Sequence, residues 1–79
     1  MMLFAGLRME VKKFFGTIML VLKERGYSRE ERKQLIRGSG LIEKCRDYDG
    51  AQYVMRYDVY DWCNYMMNGY HWPTYKRQS

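Results

Sequence analysis

Apolar residues recur every three or four positions through the first third of the chain. Phe4, Leu7, Val11, Phe14, Ile18, Val21 and Leu22 fall on one side of a 3.6-residue helix, which predicts a helix over about residues 3–25. Phe15, Met19 and Leu20 widen that side in its second half, and a helix apolar on two sides packs against two neighbours. Gly16, inside this stretch, costs helix stability relative to Ala, so we expect it to admit a neighbouring helix at close range. Gly26 reads as the stop, with Lys23 and Arg25 favourable at the negative end of the helix dipole.

Ser28-Arg29-Glu30-Glu31 has the spacing of a capping box: the Ser hydroxyl accepts from the Glu31 N–H and the Glu31 carboxylate accepts from the Ser28 N–H. The helix it opens is predicted to end at Arg37, before Gly38-Ser39-Gly40. A short third helix is expected over about residues 41–48, with Leu41, Ile42, Cys45 and Tyr48 inward. Asp49, three residues before Gln52, is placed to cap a fourth helix over about residues 51–68. Its Met55, Val59, Trp62, Cys63, Met66 and Met67 keep helical register for about four turns. Together these elements predict one all-α domain, a compact bundle of three to four helices, spanning residues 1–69. An aromatic and basic C-terminal tail occupies residues 70–79. The first and fourth helices are expected to be the main packed pair, closed by Leu35, Ile36, Leu41 and Ile42.

With 79 residues, the chain makes one domain with a thin core. Aromatics reach 16% of the residues, with eight Tyr among them, more large flat surface than such a core hides. The two cysteines are too few for a disulfide scaffold and read as free buried thiols of a reducing, cytoplasmic setting. No targeting segment is expected, since the start lacks a basic region ahead of its apolar residues. The longest apolar run, from Phe14 to Leu22, is far shorter than the roughly 20 residues of a membrane span. No membrane partner is expected.

Catalytic and metal chemistry find little in this sequence. Cys45, Cys63 and His71 lack the paired spacing of metal ligands, and the lone His sits in the tail, between Tyr70 and Trp72, without an orienting group. Asp58 and Asp61 are helix neighbours on a polar face rather than opposed carboxylates. Gly38-Ser39-Gly40 lacks the Lys-Ser/Thr that follows a phosphate-binding loop. Residues 29–48 have the outline of a helix-turn-helix. However, either choice of turn glycine puts Arg46, with Glu43 or Asp49, where buried aliphatics belong. No enzyme activity, cofactor or metal is expected.

Charge is uneven. Residues 1–46 hold eleven Lys/Arg against five Glu, and residues 47–79 three against four Asp. Lys23, Arg25, Arg29, Arg32, Lys33 and Arg37 form a basic patch suited to phosphates, diluted by Glu24, Glu30 and Glu31. Tyr53, Tyr57, Tyr60, Tyr70, Trp72 and Tyr75 are the candidate partner-binding aromatics, because Tyr and Trp near Arg make binding hot spots. The expected function is a small non-enzymatic interaction protein that blocks or regulates a partner protein. Inhibitors carried by phages and mobile elements, such as those of a host defence nuclease, have this character. The alternatives are a nucleic-acid-binding regulator using the basic helix face and tail stacking, and a homo-oligomeric structural subunit.

Overall fold

Five helices make up the computed structural model, which describes residue 4 and residues 6–72. They are α1 (Met9–Glu24), α2 (Arg29–Ser39), α3 (Leu41–Lys44), α4 (Tyr48–Met55) and α5 (Val59–Met67), with no strand among the described residues. The fold is all-α. α1 is the central element, packed chiefly on α5 and also on α2 and α4. Among the described residues, no helix is long and apolar enough to cross a membrane.

Local chemistry sets the first two boundaries where the sequence places them. α1 ends in a Schellman motif: Gly26 takes φ +97°, its N–H donates to Lys23 O, and the Tyr27 N–H donates to Leu22 O. The Ser28 capping box is formed on both sides, with Glu31 N–H donating to Ser28 Oγ at 3.2 Å and Ser28 N–H to Glu31 Oε1 at 2.7 Å. α2 runs past Arg37 to Ser39. The Ser39 hydroxyl donates to Ile36 O and accepts from the Leu41 N–H, so it bridges α2 into α3.

The long fourth helix of the sequence reading is two helices. α4 opens earlier, at Tyr48, because Asp47 rather than Asp49 is the cap and accepts from the Gly50 N–H at 2.6 Å. The chain breaks over Arg56 and Tyr57, and Asp58 is extended at the N-cap of α5. Trp62 holds the break open. Its indole N–H donates to Val54 O at 2.7 Å in the interior, taking a carbonyl that an unbroken helix would give to Asp58. The break also turns Ala51 and Val54 fully inward and leaves Met55 and Val59 at the core edge.

The core is centred on Val11, Phe15, Ile18, Leu22, Ile36, Val54, Cys63 and Met66, all essentially without exposure. Phe15, not Phe14, is the buried aromatic of α1; it stacks on Phe4 at 5.1 Å and meets Phe14 edge-on. Three expectations fail here. Leu20 is exposed; Tyr48 is exposed rather than inward; and nothing lies within 4 Å of where a Gly16 side chain would project, so no helix approaches there.

Cys45 and Cys63 are buried free thiols. Burial pushes each up to about 11; nearby Asp47 adds to this for Cys45, while for Cys63 Arg25 opposes and Asp58 adds. A thiol whose pKa is raised on folding stabilises the fold fully below its unfolded value, and that contribution is lost as pH rises. Thiol-specific stability is therefore expected to fall between pH 9 and about 11. Urea unfolding of the wild type and of a Cys45→Ala/Cys63→Ala variant across that range checks it: the decline should be shallower in the variant.

Candidate interaction surface

The sequence-predicted site residues fall into two sets. The basic ones lie at the end of α1 and on α2, which packs on α1, α3 and α5; Tyr53 lies on α4, Tyr57 in the break, Tyr60 at the start of α5, and Tyr70 and Trp72 beyond α5, where the Tyr70 hydroxyl reaches α2.

Two of the six basic residues are structural. Arg25 reaches Asn64 Oδ1 at 3.4 Å and Met67 Sδ at 3.7 Å, tying the end of α1 to α5. Arg32 donates to Ser28 O within its own helix and to Met19 O of α1. Lys23 is exposed at the end of α1. Arg29, Lys33 and Arg37 stand at i, i+4 and i+8 of α2, so they form one row rising about 12 Å along the helix. None of these three side chains has a hydrogen-bonding or ionic partner among the described residues. Glu30 and Glu31 share the first turn of this helix.

The aromatic set is more organised. Trp62 and Trp72 lie 5.0 Å apart between ring centroids, Trp72 meets Tyr65 at 4.8 Å, and Tyr57 packs on both tryptophans. Tyr53 extends the chain of rings through an edge contact with Tyr57 at 5.6 Å. Trp62 is buried, yet Tyr53 is 41% exposed and Tyr57 37%; Tyr48 and Tyr60, elsewhere on α4 and α5, are exposed at 54% and 53%. Arg8 lies over the Tyr48 ring and Lys44 over the Tyr53 ring, at 4.9 and 5.2 Å. Sequence reasoning missed Tyr48, Arg8 and Lys44. The signal available for Tyr48 was Asp47, whose capping role moves the helix start and turns that ring outward.

The segment read as a tail is anchored through Trp72. Tyr70 takes φ +64°, a left-handed conformation that costs a non-glycine residue about 1 kcal/mol or more. It is held there by Tyr70 N–H donating to Tyr65 O and by its hydroxyl donating to Leu35 O of α2 at 3.0 Å. Burial raises the Tyr70 hydroxyl pKa, and Tyr65 adds to it. Gly38 makes this possible, because a side chain there would occupy the space of the Tyr70 hydroxyl. Tyr75, with Lys76 and Arg77, lies outside the described residues. Replacing Tyr70 with Phe removes one hydrogen bond worth about 1 kcal/mol. Thermal unfolding should then move down by roughly 4–8 °C, and Gly38→Ala should additionally weaken the near-ultraviolet signal of the Trp62–Trp72 pair.

Tyr27, Glu31, Gln34, Leu35 and Tyr70 line an open cleft of about 300 Å³ beside this anchor. No three of His, Cys, Asp and Glu come together as metal ligands among the described residues. No protein-family model, curated protein or solved structure matches this chain.

Proposed function

We propose that this chain is a small non-enzymatic interaction protein that binds a partner protein through the tyrosine face of α4 and α5, and so blocks or regulates it. The carrying observation is that Tyr48, Tyr53, Tyr57 and Tyr60 remain exposed, with Tyr53 and Tyr57 joined to the buried Trp62 by ring contacts. Rigid aromatic side chains lose little conformational freedom on binding and dominate interface energetics. The charge on these elements is mixed: Asp47, Asp49, Arg56 and Asp58 lie along them, and Arg8 and Lys44 sit over the Tyr48 and Tyr53 rings. That pattern suits a protein surface better than a polyanion, whose binding needs a net positive field. A nucleic-acid-handling protein, such as a host defence nuclease, is the kind of partner this reading names.

The unpartnered Arg29–Lys33–Arg37 row favours a second reading, a regulator that contacts phosphates through α2. One set of variants separates the two. Immobilised protein should capture a partner from cells that express it, and the complex should survive nuclease digestion and the Arg29→Glu/Lys33→Glu/Arg37→Glu variant but not Tyr53→Ala/Tyr60→Ala. Titration with duplex and single-stranded DNA and RNA should give dissociation constants no tighter than the roughly micromolar edge of non-specific binding at physiological salt. Tighter binding that falls steeply with salt and vanishes in the α2 variant would transfer the function to that helix.

A further inference from the structure

The cleft of about 300 Å³ beside Tyr70 brings together side chains from three parts of the chain. Glu31, Gln34 and Leu35 form its α2 side, at i, i+3 and i+4 of one helix face. Tyr27, in the turn between α1 and α2, and Tyr70, beyond α5, supply two phenol rings, both half-buried. Among the described residues no Lys, Arg or His lines it, and Glu31 is the charged group of the lining. The Arg29–Lys33–Arg37 row is centred roughly 150° away around the same helix.

The Tyr70 ring is placed there at a cost. Its φ of +64° is strained for a non-glycine residue, and such strain collects at functional sites. Its hydroxyl is already bonded to Leu35 O, and Gly38 leaves the room for it, so what this residue offers a ligand is ring surface. The polar rim is only half used. Glu31 takes the Ser28 N–H on Oε1, and its Oε2 has no partner among the described residues. The Gln34 amide is exposed and likewise makes no hydrogen bond there.

Two aromatic rings, a leucine and one carboxylate suit a cation that carries its charge among apolar substituents. A plain ammonium or guanidinium is a poorer match, because it brings more N–H donors than the free Glu31 oxygen and the Gln34 carbonyl can accept. An anion would meet Glu31 and no opposing cation. We propose that this cleft binds an alkylated ammonium group, seated against the Tyr27 and Tyr70 rings with its charge balanced by Glu31. Two sources share that chemistry: a methylated lysine side chain of a partner protein, and a free small quaternary amine. The volume is at the low end for ligand sites and suits a single head group. The cleft is lined by none of the exposed tyrosines of α4 and α5, so this inference goes beyond the protein contact proposed above and can fail without it.

The test titrates the full chain with choline and follows the tyrosine rings by NMR. Saturable binding is expected on the order of millimolar, since an open site leaves part of a small ligand in water. The Tyr27 and Tyr70 rings should shift, and those of Tyr53 and Tyr60 should not. The uncharged isostere of choline, with carbon in place of nitrogen, should bind about fivefold more weakly. Glu31→Gln, which keeps a residue able to complete the capping box, should weaken choline about threefold. Tyr27→Leu should weaken it about fivefold, with circular dichroism confirming that both variants fold. A glycine-flanked trimethyllysine peptide that binds tighter than choline assigns the cleft to a partner's side chain; equal or weaker binding assigns it to the free amine. Equal binding of choline and its isostere, indifference to Glu31→Gln, or shifts confined to rings outside the cleft would overturn the proposal. So would the failure of choline and the peptide alike to move either ring. If Tyr27→Leu does not fold, the isostere and Glu31→Gln decide the matter alone.

Discussion

Replacing Trp62 with Ala is expected to remove most of the protein's stability. The side chain is nearly fully buried and touches Tyr57, Tyr65 and Trp72, so its truncation costs about 3–5 kcal/mol in transfer and cavity terms. A second cost follows from its indole N–H, the shorter of two donors to the Val54 carbonyl at the end of α4, the other being the Tyr57 N–H at 3.4 Å. Losing that bond adds about 1 kcal/mol. A domain of this length has only about 4–12 kcal/mol in total. Thermal unfolding followed by far-ultraviolet circular dichroism should therefore drop by roughly 15–30 °C, or the chain should be unfolded at room temperature. Trp62→Phe separates the two costs, since it keeps a ring and loses the donor. A shift of only a few degrees for Trp62→Ala would show that α4 and α5 are not held by this side chain.

The same indole explains where sequence reading stops. The capping box at Ser28 and the stop at Gly26 are legible because the groups that satisfy the helix ends lie within a few residues of them. The break between α4 and α5 depends on a bond from Trp62 to a carbonyl eight residues earlier, and no local propensity carries that. A continuous helix fits the spacing of Met55, Val59, Trp62 and Met66 equally well. Phe14 and Phe15 present a related ambiguity. Both are apolar and adjacent, and only the way the other elements pack around α1 decides that Phe15 is the one enclosed. In the candidate sites, Tyr53, Tyr57 and Tyr60 were readable as surplus aromatics outside the apolar stripe. Arg25 and Arg32 were not separable from Arg29, Lys33 and Arg37 by composition, because their partners, Asn64 and Met19 O, come from other helices.

Two glycine-to-alanine changes are expected to have opposite signs, and together they test the packing of α3 against α4. Gly16 lies exposed in the middle of α1 with open space around it. Ala there should stabilise by about 0.5–1 kcal/mol, through better helix propensity and a less disordered unfolded chain. Gly50 is also helical, but the space a methyl would need is already filled by the Lys44 carbonyl, with the Asp47 carboxylate beside it. The obstacle is main chain, which does not swing aside like a side-chain tip. Ala at position 50 should force α3 and α4 apart at about 1–3 kcal/mol for overpacking. It should also displace the Asp47 cap, which accepts from the Gly50 N–H at 2.6 Å, for about 1 kcal/mol more. Urea unfolding should place Gly16→Ala above and Gly50→Ala well below the wild type. The destabilised variant should also expose Cys45, at the end of α3, to thiol reagents, a change that a uniform loss of helix propensity would not confine to that cysteine. If Gly50→Ala proved as stable as the wild type, the close contact between Lys44 and Gly50 would not exist in solution. The outward placement of Tyr48 and Tyr53 on α4 would then lose its support.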